Sequence, residues 1–333
     1  MILAGDIGGT NVRLALFEIE SGRLVRKDEQ KFRSRELPGL EGPVETFLAG
    51  RRVLAAGFGV AGPVHDGRCE ATNLPWVVDA ALLAGKLSLP RVALVNDLFA
   101  NALGLSELSG EDFAVVNAGM PDLQGTAALI SAGTGLGEAY LVRRGGRFEP
   151  QASEGGHASF APRNPFEIDF LRHLHRTYSH VSFERVLSGP GLAALYAFER
   201  SRSGEGEPAW LSAEIAAAGD ASPAVTAAAL AGKDPVAARA LEHFISIYGG
   251  EAGNLALKVL ATGGVYVGGG IAPRILPKLL DGTFFGAFCD KGRFGTLLAK
   301  IPIRVVTNDC CALLGAARAG AEAAPGPQRR RDG

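Results

Sequence analysis

Along residues 2–19, ILAGDIGGTNVRLALFEI, an apolar run breaks at a glycine pair and a second begins, with Val12, Leu14 and Leu16 alternating against Arg13, Ala15 and Phe17. Period two belongs to a strand, so the stretch predicts strand, tight turn, strand. Residues 126–142, TAALISAGTGLGEAYLV, repeat the pattern around G-T-G-L-G. Two such hairpins far apart in one chain predict an internal duplication. Between them, 51–64 reads as a strand ending in Gly59, Gly62 and Pro63. Residues 91–105, RVALVNDLFANALGL, read as a strand that stops at Asn96-Asp97 and passes into a helical pattern.

Beyond the second hairpin, 165–178 is helical text, and 182–198 predicts a helix capped by Ser182 with Glu184 in its first turn. From 208 to 261 the chain is Ala-rich and helical, and Gly249, Gly250 and Gly253 permit close helix packing. Residues 263–280 read as strand, triple glycine, helix, and 301–309 as a last strand before a small-residue helix. The basic stretch 290–300 is expected to be a solvated face, and the tail 325–333 short, polar and disordered. Strands interleaved with helices define an α/β protein.

The 333 residues are 47% hydrophobic and 21% charged, which excludes a disordered chain and allows two domains. With 34 Lys plus Arg against 35 Asp plus Glu, no global field calls for nucleic acid or an anionic membrane, so a small ligand is expected. Cys69, Cys289, Cys310 and Cys311 lack zinc-site spacing and read as reduced, buried small residues. No basic leader precedes the first strand and no apolar run is long enough to span a bilayer, so the cytoplasm is the expected location.

The candidate chemistry gathers at turns. A Walker loop or a G-x-G-x-x-G fingerprint opens a helix, whereas the glycines at 8–9 join two strands, which disfavours both nucleotide motifs. Gly8 and Gly9 allow a turn at positive φ and close approach of a ligand; Thr10 and Asn11 offer donors to phosphate oxygens, although an ordinary hairpin turn uses the same residues. Asp6 faces the same mouth and is suited to hold Mg²⁺ through water. Thr134, Gly135 and Gly137 offer a second phosphate turn, and Gly268 to Gly270 either a surface for a base and ribose or a plain strand-to-helix turn. Asp97, at a strand's carboxyl end, suits a proton acceptor, while Asn96 and Asp97 also suit a helix N-cap. Asn73 lies in a polar loop and reads as a ligand contact or a turn residue. Glu154 and His157 share another polar loop, and with Glu184 they are the residue types that satisfy buried hydroxyls.

Taken in order, LAGDIGGTNVRLALFE, VNDLFANALGL, SAGTGLGEAYLV, SEGGHASFAP, FERVLSGPGLAALY, YVGGGIAPRIL and DKGR resemble the bacterial ATP-dependent glucokinases of the proteobacterial type, within the hexokinase and actin-like ATPase superfamily. The resemblance implies a duplicated, ribonuclease H-like α/β fold with a cleft between a small domain, 1–107 completed by 309–324, and a large domain, 108–308. It implies Asp97 as the catalytic base and Asn96, Asp97, Gly135, Glu154, His157 and Glu184 as glucose ligands. Gly5, Asp6, Ile7, Gly8, Gly9, Thr10, Asn11, Gly133, Thr134, Gly137, Gly268, Gly269 and Gly270 match the ATP segments, with Asp6 on Mg²⁺ through water. It further implies glucose and ATP as partners, neither nucleic acid nor membrane, and a homodimer. The alternatives are a kinase of fructose, mannose or an N-acetyl sugar, or a non-catalytic sugar sensor. Cys310, Cys311 and Ala312 depart from the usual Gly- or Pro-containing turn, and no zinc-binding Cys cluster follows E-G-G-H.

Overall fold

The computed structural model describes residues 1–70, 74, 76–144 and 147–324 and divides into two units. Asn73 and the tail 325–333 lie outside the described residues. Unit 1 comprises Met1–Glu111, Arg147–Pro150 and the chain from Asn308 on; unit 2 comprises Asp112–Gly146 and Gln151–Thr307.

Unit 1 opens with β1 (Ile2–Ile7), β2 (Asn11–Glu20) and β3 (Arg23–Arg33), followed by α1 (Glu41–Leu48) and β4 (Ala55–Val60). A two-stranded ribbon, β5 (Arg68–Cys69) and β6 (Val78–Asp79), leads to α2 (Ala80–Leu87), β7 (Ala93–Asn96) and α3 (Asp97–Gly104). The main sheet has the order β3-β2-β1-β4-β7, antiparallel through the hairpin and parallel from β1 to β4 to β7. The alternation in β2 has a physical outcome on both faces. Val12, Leu14 and Leu16 enter a core with Val44, Phe47 and Phe58, while Ala15 and Phe17 enter a second core on the opposite face. Strand β3 carries no hydrophobic alternation; it is a charged edge, and charge on an edge strand discourages pairing with other chains.

Unit 2 contains β8 (Phe113–Asn117), β9 (Ala127–Ala132), β10 (Leu136–Arg144) and β11 (Arg147–Ser153), then α4 (Pro165–Leu174), α5 (Gly189–Ser203), α6 (Ala209–Ala218), α7 (Ala221–Leu230) and α8 (Pro235–Val259). It ends with β12 (Gly264–Gly268), the short helices α9 (Leu276–Leu279), α10 (Thr283–Cys289) and α11 (Gly295–Leu298), and β13 (Ile303–Val306). Its sheet runs β11-β10-β9-β12-β13-β8. The first five positions repeat the order of unit 1, with β9 parallel to β12 and β12 to β13, and β8 adds an antiparallel edge. Helix α8 is started by Asp234, whose Oδ1 accepts from the Ala237 N–H at 2.6 Å. The expected close packing occurs: a Cβ at Gly249 would overlap the Phe284 carbonyl oxygen of α10, and one at Gly253 would approach the Phe288 carbonyl oxygen. The predicted helix after the triple glycine is a run of turns ending in the four residues of α9.

The chain returns to unit 1 as α12 (Cys311–Ala323). Small residues let this helix lie backbone to backbone on β4 and α3. A Cβ at Gly57 would overlap the Ala316 carbonyl oxygen, one at Gly315 the Ala100 carbonyl oxygen, and one at Gly104 the Cys311 carbonyl oxygen. Arg318 Nε donates to Glu107 Oε1 at 2.7 Å and fastens the helix laterally. All four cysteines are free thiols; Cys69, Cys310 and Cys311 are buried as expected, but Cys289 is only half-buried. Among the described residues no helix is long and apolar enough to cross a membrane.

Candidate active site

In unit 1 the parallel register brings the ends of β1, β4 and β7 to one edge, with Ile7 opposite Val60 and Val60 opposite Asn96. Open α/β sheets bind ligands beyond such carboxyl ends. Asp6 pairs across the hairpin with Arg13. Burial above all pushes its carboxyl up to about 6; Arg13 opposes the rise, and the charges of Asp97 and Glu29 add to it. Asp6 and Asp97 therefore feel each other's charge at one sheet edge.

The turn between β1 and β2 is held from outside. The Gly8 N–H donates to Asn11 O at 2.9 Å, the Ser34 N–H donates to Thr10 O at 3.0 Å, and Ser34 Oγ donates to Gly8 O at 2.6 Å. Buried Trp76 reaches the Ser34 carbonyl through Nε1 at 3.4 Å. Gly8 does not enter the left-handed region, so the expected positive-φ turn is corrected there: the Ser34 contacts shape it instead. Ile7 is fully buried and a Cβ at Gly5 would overlap the Phe58 ring, so these two residues offer a ligand main chain only. Ser34 and Trp76 were not singled out from sequence; a buried indole needing an acceptor was the available signal.

Asn96 and Asp97 divide the cap and carboxylate roles. Asn96 is the N-cap of α3, its Oδ1 accepting from the Leu98 N–H at 2.9 Å and the Phe99 N–H at 3.4 Å, while its Nδ2 donates to Gly62 O at 3.1 Å. One Nδ2 hydrogen remains for a ligand, so the cap reading of Asn96 holds and narrows its ligand role. Asp97 is the first helical residue, where the helix dipole favours an anionic carboxylate, and its Oδ1 accepts from the Leu98 N–H at 2.9 Å. Gly59 makes room for it, since a Cβ there would stand 2.8 Å from the Ala100 Cβ and 3.7 Å from the Asp97 Cα.

Unit 2 assembles its candidates around the second turn. The Gly133 N–H donates to Gly135 O at 2.8 Å, and the Gly189 N–H donates to Gly133 O at 2.9 Å, which docks the start of α5 on the turn. Glu184 Oε2 accepts from the Leu136 N–H at 3.1 Å and lies where a Gly135 Cβ would be. Glu184 Oε1 stands 3.9 Å from His157 Nδ1, and His157 Nε2 stands 3.8 Å from Glu154 Oε2. The side chains of Glu154 and His157 are exposed and that of Glu184 half-buried, so this acidic and imidazole edge faces solvent beside Gly135.

The predicted helix over 182–198 is corrected. Residues 182–187 form turns, with Ser182 Oγ only 3.4 Å from the Arg185 N–H, and α5 starts at Gly189. Its cap is Ser188, whose Oγ accepts from the Gly191 N–H at 3.2 Å and donates to Glu184 O at 2.7 Å. Glu184 is thus outside any helical first turn and is not a capping-box residue. Ser188→Ala removes both bonds, and we expect a loss of about 1 kcal/mol of stability, measured by urea denaturation; an unchanged midpoint would show that Pro190 alone starts the helix.

The triple glycine sits at the carboxyl end of β12, with Gly268 opposite Ser131 of the parallel β9. Gly269 has φ of 84°, and a Cβ there would overlap the Ala132 carbonyl oxygen, so a glycine is required. Gly270 has open space. Beneath the same end, buried Tyr248 accepts from the Ala132 N–H at 3.2 Å and donates to Ile130 O at 3.3 Å, fixing β9 where it enters the phosphate-type turn. This tyrosine was also missed from sequence.

The family model described as Glucokinase matches residues 3–323. The chain belongs to the glucokinase family. Among relatives of the family, a glucokinase of Synechocystis sp. is 42% identical over 96% of this chain and 98% of its own. The crystal structure of a glucokinase from an Antarctic psychrotroph superposes with a TM-score of 0.83 at 31% identity, covering 96% of this chain and 98% of that one. A ROK family glucokinase from Streptomyces griseus, solved with glucose and AMPPNP, has a TM-score of 0.65 at 22% identity over 96% of this chain and 99% of that one, and shares the fold. The duplicated α/β architecture is therefore that of the actin-like sugar kinases.

Proposed function

We propose that this chain transfers the γ-phosphoryl group of MgATP to the 6-hydroxyl of D-glucose, giving glucose 6-phosphate and ADP. The observation that carries this reading is Glu184, which pairs with the backbone at Gly135–Leu136 and faces the His157–Glu154 edge, so that hydroxyl-pairing groups adjoin a phosphate-type turn in a chain of this family. Asn96, Gly135, Glu154, His157 and Glu184 hold the sugar. Asp97 accepts the hydroxyl proton while the sugar oxygen forms its bond to the γ-phosphorus. The bond from that phosphorus to the β–γ bridging oxygen breaks, and ADP leaves with the electron pair. Since the transition state is loose, positioning and charge neutralisation do most of the work.

The backbone at Gly5 to Asn11, Gly133, Thr134 and Gly137 receives phosphate, and Gly268 to Gly270 the nucleoside. A divalent ion suits Asp6, whose carboxyl is desolvated beside a second carboxylate and would regain charge balance there. Mg²⁺ would neutralise phosphate charge, with Asp6 holding it through water. The same reading has the enzyme act in the cytoplasm as a homodimer.

An ADP-release assay with MgATP against glucose, fructose, mannose, galactose, N-acetylglucosamine and no sugar tests it. Glucose should give the highest kcat/KM, and an analogue lacking a recognised hydroxyl should fall by roughly 10⁴. Turnover independent of sugar would make the chain an ATPase, and preference for fructose would move the substrate.

A further inference from the structure

Strand β10 leaves the phosphate-type turn carrying Glu138, whose side chain is 1% exposed. Across from it on α8 is Glu251, at 0% exposure. The two carboxyl groups interact side chain to side chain, and Glu138 Oε1 has no hydrogen-bond partner among the described residues. Glu251 is held in place by Asn254 Nδ2 donating to Oε2 at 2.7 Å and Lys258 Nζ donating to Oε1 at 3.1 Å. The Glu154–His157 loop packs against Glu138 and its strand: a Cβ at Gly155 would overlap Glu138 Oε2, and one at Gly156 the Leu136 carbonyl oxygen. Two neighbouring carboxyl groups this dry disfavour being ionised together near neutral pH.

We propose that Glu138 and Glu251 share one proton and act as a positioning pair for the Glu154–His157 loop, so that losing the proton loosens the loop and weakens sugar binding. The inference rests on the reading of Glu154 and His157 as sugar ligands. Burial first, then Glu251, pushes Glu138 up to about 7 against the pull of Lys258; burial also raises Glu251, opposed by Asn254, Lys258 and Lys291. Lys291, in the segment after α10, faces Arg163, Asp290 and Glu167 as well, and Tyr248 faces Glu138 from α8. With the folded value above the ordinary glutamate range, the shared proton is fully bound at acid pH and leaves as pH rises through neutrality.

The test is hydrogen–deuterium exchange of the 153–160 peptide, corrected for intrinsic rate, with glucose titration calorimetry, at about pH 6 and about pH 8.5. In the wild type, exchange at His157 and Ala158, whose N–H groups bond Glu154 O and Gly155 O, should speed about tenfold at the higher pH, and glucose affinity should weaken in parallel. Glu138→Gln donates an amide hydrogen to Glu251 at any pH, so both quantities should stay at their low-pH values. If that variant fails to fold, Glu251→Gln carries the same expectation. A wild-type loop indifferent to pH, or a glutamine variant that keeps the wild-type response, overturns the proposal. Loosening with pH but no glucose binding at either pH upholds the pair and overturns the sugar reading instead.

Discussion

Asp97→Asn should lower kcat for glucose phosphorylation by about 10² to 10⁴ while changing the glucose KM little, because removing a general base costs that much and leaves ground-state contacts in place. The substitution is conservative in the fold for a specific reason. Asn96, not Asp97, caps α3, so the helix start survives, and an asparagine amide oxygen can still accept from the Leu98 N–H as Asp97 Oδ1 does at 2.9 Å. What disappears is the ability to take a proton. Steady-state kinetics at saturating MgATP separate the two parameters. A kcat equal to that of the wild type would remove Asp97 from the chemistry, and a large rise in KM alone would make it a binding residue only.

The second large effect is structural and acts on the same helix. Gly315→Val places side-chain atoms on the Ala100 carbonyl oxygen, and its Cβ would stand 2.8 Å from the Gly104 N. Both are backbone atoms of α3, so relief requires the two helices to separate rather than a side chain to rotate. A cost of about 3 kcal/mol, at the upper end for overpacking, is expected. Chemical denaturation should show it, and kcat should fall even where the protein is still folded, because α3 carries Asp97. Gly85→Ala is the control: its Cβ meets nothing within 4 Å in α2, and alanine is the better helix former, so no loss is expected. Equal stability of Gly315→Val and the wild type would mean that α12 does not hold α3 in place.

These two helices also illustrate what could be read from the chain. The strand ending at Asn96-Asp97 and the helix after it were legible because apolar text stops at a capping pair, and the glycine hairpins because period two is punctuated on both sides of a turn. Strands β3 and β8 were not, since neither shows hydrophobic alternation; they join the sheet through register with a neighbour. The start of α5 was misplaced because Ser182 and Glu184 imitate a capping signal, whereas Ser188 followed by Gly189 and Pro190 is the stronger one: proline fits the first turn and serine satisfies the Gly191 N–H. The order of motifs located Glu154, His157 and Glu184, but that Glu184 holds the Leu136 N–H, or that Glu138 meets Glu251, depends on tertiary contacts between residues remote in sequence.

The central claim is best tested by identifying the product made from MgATP and glucose labelled with carbon-13 at position 6. Nuclear magnetic resonance should show phosphorus coupled to the labelled carbon, appearing in step with ADP in the wild type and suppressed in Asp97→Asn. ADP accompanied only by inorganic phosphate, or phosphate attached at another carbon, would contradict the account.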